Sequence, residues 1–99
     1  MKRRFVVGTA VMSVEQTRAF ADYLGEKGYG WWHWLHGMWL ITDESEELEA
    51  ETLRDKLNEI VPEGRNLVVM VEEKEWAGFG PSTKKSDMFK WIQDEWDKD

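Results

Sequence analysis

The sequence predicts an α+β chain, and three observations carry that expectation. Phe5-Val6-Val7, Met38-Trp39-Leu40-Ile41 and Leu67-Val68-Val69-Met70-Val71 are short apolar runs with strand character. Two intervening stretches place apolar residues three and four apart, the spacing of helices that bury one stripe. Gly30-Trp31-Trp32-His33-Trp34-Leu35 stands just before the second run and makes a hairpin with it. The resulting order, β-α-β-β-α-β, is the split βαβ arrangement of ferredoxin-like domains. Such a sheet is antiparallel, runs 4-1-3-2 and carries both helices on one face.

The first strand is expected from Arg4 to Gly8. Ser13 then caps a helix, with Gln16 three residues on completing a capping box. Val14, Thr17, Phe20, Ala21 and Leu24 form its core stripe through about Glu26, while Gly25, Lys27 and Gly28 suit its end. The second strand spans Trp31 to Leu35 and the third Met38 to Thr42. His36-Gly37 is the tight turn between them, glycine supplying the positive φ of hairpin turns. A second helix is expected from Glu46 to Val61, with Ala50, Leu53, Leu57 and Ile60 inward and Pro62 and Gly64 as its stop. Leu67 to Val71 is the fourth strand, continued toward water by Glu72 and Glu73. Trp76-Ala77-Gly78-Phe79-Gly80-Pro81 reads as a loop, and Met88, Phe89, Trp91, Ile92 and Trp96 as an added C-terminal helix of about three turns. All 99 residues fit one domain, with a core over 4–73 and the loop and last helix over 76–97.

The strands are apolar on consecutive residues, the pattern of a sheet covered on both faces. Two helices cover only one. The C-terminal helix, a second subunit, or both must cover the other, and a homodimer packed through this face is expected.

Composition narrows the chemistry. Hydrophobic residues make up 41% and charged residues 33%, the balance of a soluble globular chain. There is no cysteine, which removes disulfides, thiolate metal sites and cysteine nucleophiles. The apolar run after Met1-Lys2-Arg3-Arg4 is too short for a signal core, and no run approaches a membrane span, so a cytoplasmic location is expected. A formal net charge of −7 disfavours bulk nucleic acid. Six carboxylates fall between Asp43 and Glu51. They suit a solvated helix start, or a phosphate-mimicking partner surface formed by Asp43, Glu44, Glu46 and Glu47.

Candidate chemistry is sparse. His33 and His36 are the only histidines, and a separation of three sends them to opposite faces of a strand. Neither a metal site nor a cofactor is expected from them, and no serine lies in a nucleophile elbow. Gly78-Phe79-Gly80-Pro81-Ser82-Thr83-Lys84-Lys85 could bind an anion through backbone, hydroxyl and ammonium groups, or could simply connect two elements. Trp31, Trp32 and Trp34 could form a stacking platform or fill core. Lys2-Arg3-Arg4 is placed to pair across strands with Glu72, Glu73 and Glu75.

Gly30-Trp31-Trp32-His33-Trp34-Leu35 with Trp39-Leu40, Leu53-Arg54-Asp55-Lys56-Leu57 and Trp76-Ala77-Gly78-Phe79-Gly80-Pro81 together resemble the SinR-like family, over roughly residues 5 to 81. These are small bacterial and phage proteins, related at fold level to VapD ribonucleases and the small CRISPR adaptation nuclease. The resemblance implies a dimer-forming ferredoxin-like domain. Nuclease relatives close strand one with a metal-binding aspartate, and Ala10 stands at that position here. The expectation is a non-catalytic homodimeric binding protein for a nucleotide-like ligand or a protein partner. Its working surface would comprise Trp31, Trp32, His33, Trp34, Trp76, Gly78, Phe79, Gly80, Lys84 and Lys85. A phage-encoded inhibitor of a defence system is one form of that reading. A metal-dependent nuclease and a structural subunit of a hetero-complex are the alternatives.

Overall fold

Every strand run of the sequence lies in one open antiparallel sheet in the computed structural model, which describes residues 2–72 and 74–98. The strands are β1 (Arg3–Ala10), β2 (Gly30–Leu35), β3 (Met38–Asp43) and β4 (Arg65–Val71), in the order β2-β3-β1-β4. Helix α1 (Val14–Glu26) connects β1 to β2, and α2 (Ala50–Ile60) connects β3 to β4. The α+β class is therefore observed.

Both bonds of the capping box form at the start of α1. The Gln16 N–H donates to Ser13 Oγ at 3.1 Å, and the Ser13 N–H donates to Gln16 Oε1 at 2.9 Å. Phe20 and Leu24 from α1, and Leu53 and Leu57 from α2, pack on Phe5, Val7, Trp39 and Ile41 of the sheet. Phe20 meets Trp39 edge-on, with ring centroids 4.9 Å apart. Val14 is the exception in the expected stripe: it sits in the first turn of α1 and is largely exposed.

α2 begins four residues later than its acidic run suggests. Asp43 is buried at the end of β3, and its carboxylate accepts the N–H groups of Ser45, Glu47 and Leu48 at 2.9, 3.1 and 2.7 Å, with the Ser45 hydroxyl at 2.7 Å. These bonds, with Glu46 at φ 64°, hold 43–48 as a closed loop, because a short carboxylate offers the backbone an alternative to the helix. Leu48 then drops into the core ahead of the first turn.

His36 and Gly37 form the expected turn, but not for the expected reason. Among the described residues only Val11, Glu46 and Gly28 have a φ in the left-handed region. Gly37 is required for close approach instead. Its carbonyl accepts the Thr9 N–H at 2.8 Å, and a Cβ there would stand 2.8 Å from the Thr9 carbonyl oxygen.

The third helix is much shorter than expected. Met88 N–H donates to Pro81 O, Phe89 N–H donates to Asp87 Oδ1, and Ser82 and Asp87 form an isolated bridge. The chain is thus tied into a turn until Phe89. Only Lys90 and Trp91 are α-helical before a π-helical turn, Ile92–Trp96, closed by Asp97 N–H on Ile92 O. The wide turn directs both Ile92 and Trp96 onto the sheet.

This C-terminal arm, residues 74–98, covers much of the sheet face opposite the helices. Strand register sets three rows on that face: Gly30, Thr42, Arg4 and Val71; Trp32, Leu40, Val6 and Val69; Leu35, Met38, Gly8 and Leu67. Trp91 closes on Gly30, where a Cβ would lie 3.1 Å from its ring, and Met88, Ile92 and Trp96 pack on Trp32 and Leu40. The last row stays open at Leu35 and Leu67.

The N-terminal cations fasten the arm down. Arg4 is buried, its Nε donating to Trp96 O and its Nη2 to Lys98 O, each at 2.7 Å. Lys2 Nζ donates to Glu95 O, and Lys74 Nζ to Asp97 O at 3.0 Å. Arg3 reaches the other way, donating to Leu48 O at 2.9 Å. Pairing of Lys2-Arg3-Arg4 with Glu72 and Glu75 is not among these bonds, and Glu73 lies outside the described residues. The end of a helical turn exposes carbonyls that need donors and favours positive charge, which explains these bonds.

Candidate functional site: a cavity between the sheet and the C-terminal arm

Where the arm bridges the open sheet face it leaves a cavity of about 460 Å³. Val6, Trp32, Leu40 and Val71, one from each strand, form its floor. Trp76, Met88, Phe89 and Trp96 from the arm form its walls, with Leu35 and Met38 at the open end. The apolar side chains that the strands share on this face supply such a floor; the arm turns it into a pocket.

The aromatic walls are held in place. Trp32 Nε1–H donates to Met88 O at 2.6 Å, joining β2 to the arm, and Trp76 Nε1–H donates to Asp97 Oδ1 at 3.0 Å. Phe89 stacks on Trp76, with centroids 5.5 Å apart and planes 23° from parallel. Gly78 and Gly80 permit this packing, since a Cβ would lie 2.6 Å from the Phe89 ring at the first and 2.4 Å from Met88 Sδ at the second. Phe79, between them, lines the mouth and is 101% exposed. Among the described residues, Glu75 is the only charged one of the lining.

The expected working surface is divided by this geometry. Trp32, Trp76, Gly78 and Phe79 come together at the cavity, and Gly80 packs behind its wall. Trp31 lies opposite Ile41, on the helix-covered face. His33 stacks on Trp39 of that face, at 3.8 Å with planes 8° apart, and its Nδ1 is 2.9 Å from Met38 O. Trp31 also meets Trp39, at 5.6 Å. Trp34 follows Trp32 in the irregular stretch before Leu35 and is half-exposed at the sheet edge. Lys84 and Lys85 sit on an exposed bend and do not line the cavity, while Thr83 is bonded to Ser86. The glycines and lysines of 78–85 thus do not converge as an anion cradle.

Of the acidic group, Glu44, Glu46 and Glu47 are exposed, whereas Asp43 is only 3% exposed and serves the loop just described. Burial pushes the Asp43 carboxyl up, but its hydrogen bonds from Ser45, Leu48 and Glu47 outweigh this and leave it below the ordinary aspartate value. Among the described residues no group of three or more His, Cys, Asp or Glu side chains could hold a metal ion. No described helix is long and apolar enough to cross a membrane.

Sequence reasoning did not single out Val6, Leu40, Glu75, Met88, Phe89 or Trp96 as site residues. The parity of the strands could have nominated Val6 and Leu40, which share a face with Trp32. Comparison with protein-family models, with curated proteins and with solved structures finds no match to this chain.

Proposed function

We propose that this protein is a non-catalytic binding protein of the ferredoxin-like type, whose ligand sits between the sheet and the C-terminal arm. The cavity carries the reading. Its volume lies in the range of small-molecule sites, about 300–1,000 Å³, and its lining is aromatic and aliphatic with one polar group at the rim. Trp32 and Trp76 suit a planar ring. Of a nucleotide-like ligand, the ring is the part this lining would read, since Lys84 and Lys85 lie elsewhere. The ferredoxin-like assignment is supported by the order β2-β3-β1-β4, which is 4-1-3-2 read from the other edge. The SinR-like resemblance fits the same topology. Ala10 supports the non-catalytic reading, because a methyl group that cannot ligate a metal stands where the resemblance implies an aspartate.

The test is a titration with neutral planar aromatics such as naphthalene and indole, followed by intrinsic tryptophan fluorescence. Saturable binding is expected, and Met38→Trp, which fills the open end, should weaken it by about tenfold or more. No saturation by any compound, or unchanged affinity in Met38→Trp, would overturn the proposal.

A further inference from the structure

We infer that the preferred ligand of this cavity is a small organic cation, an alkylated or quaternary ammonium attached to an apolar body. The inference rests on the cavity being a ligand site and adds the charge of what it takes. Aromatic rings attract cations over their faces, because the ring quadrupole is negative there. Five aromatic side chains line this cavity: Trp32, Trp76, Phe79, Phe89 and Trp96. The N–H groups of Trp32 and Trp76 already donate to Met88 O and Asp97 Oδ1, so neither is left to meet an anion. Among the described residues the single charged one of the lining is Glu75, whose carboxylate is exposed at the rim. Lys2, Arg4 and Lys74, the nearby cations, are turned to the carbonyls at the end of the arm. A net charge of −7 adds a long-range field of the same sense. Charge and ring chemistry therefore select the same class of ligand. A quaternary ammonium suits the site better than a primary one, since its shell of methyl groups needs no hydrogen-bond acceptor inside an apolar pocket.

A matched pair of probes isolates the charge. Trimethylphenylammonium and tert-butylbenzene have nearly the same shape, and only the first is charged. The cation is expected to bind at least about tenfold more tightly, by tryptophan fluorescence at low salt, with the advantage shrinking as salt is added. Glu75→Gln should weaken the cation several-fold and leave tert-butylbenzene unchanged. Equal affinities for the pair, or an unchanged cation affinity in Glu75→Gln, overturn the inference while leaving the cavity as a site for neutral rings. Absence of binding by both compounds overturns the ligand site itself.

Discussion

Asp43 carries two structural tasks with one carboxylate: it ends β3 and it closes the loop that delays α2. Its oxygens accept from Ser45, Glu47 and Leu48, all within five residues. Asp43→Ala would leave the buried Leu48 N–H and the part-buried Ser45 and Glu47 donors without this acceptor, and a loss of about 2–4 kcal/mol is expected in urea unfolding at neutral pH. The pH dependence has a definite sign. The folded pKa lies below the unfolded one, so the contribution is fully present above the ordinary aspartate value of about 4 and is lost as pH falls through the lower folded value. The stability gap between wild type and Asp43→Asn should therefore shrink in that acid window; a gap that widens there refutes the assignment. Gly37 makes the opposite kind of point, a residue chosen for what it lacks. Gly37→Ala puts a methyl 2.8 Å from the Thr9 carbonyl oxygen, a backbone atom that cannot swing away. A cost of about 1–3 kcal/mol is expected, with the hairpin amides exchanging faster than those of α1.

Among the elements, the arm is the one whose form the sequence conceals. β1 to β4 and the two helices follow from apolar periodicity, and even the capping box at Ser13 and Gln16 is readable, because those signals are local. The arm's shape depends instead on contacts with distant residues. Met88, Phe89, Trp91, Ile92 and Trp96 have helical spacing, yet the bonds of Pro81 and Asp87 delay the helix and a π-turn replaces it. The site was half legible for the same reason. Trp32, Trp76 and Phe79 are conspicuous in the sequence, and strand parity separates Trp32 from Trp31 and His33, but the partners that Trp32 meets come from the distant arm. Arg4 joins the first strand to the last turn, so it is the residue to test. Arg4→Met keeps much of the side-chain volume and removes the bonds to Trp96 O and Lys98 O. Charge-assisted bonds contribute about 1.5–3 kcal/mol each, enough to loosen a segment with no long helix of its own. Amide exchange over 88–98 should accelerate more than over β1 to β4, with a red shift in tryptophan emission. Equal protection of the arm in wild type and Arg4→Met would show that the arm is held without the Arg4 bonds.

At the scale of the molecule, the sheet has one face closed by helices and one closed only in part. The arm crowds over the two rows nearest Arg4 and leaves the third, where Leu67 is 68% exposed and Leu35 also faces water, as does Val69 at the β4 end of the middle row. Gly8 lies in the middle of that row and keeps it flat, since no side chain rises between Met38 and Leu67. Flat, apolar and beside an edge strand, such a surface exposes more hydrocarbon than isolated surface leucines do, and self-association is the proposal that accounts for it. A two-fold axis through the row would place Leu67 of each copy against the apolar row of the other, as an isologous interface requires. Because Leu35 and Met38 of the same row also stand at the open end of the cavity, such a contact would border the cavity mouth. Wild type is then expected to sediment as a dimer at tens of micromolar, roughly the range in which a micromolar constant shows. Leu67→Glu should be monomeric with an unchanged circular dichroism spectrum, because an exposed edge residue carries little of the fold. Sedimentation of wild type as a monomer throughout that range refutes the dimer. A dimeric Leu67→Glu would move the interface away from this row, toward the exposed Phe79 at the cavity mouth.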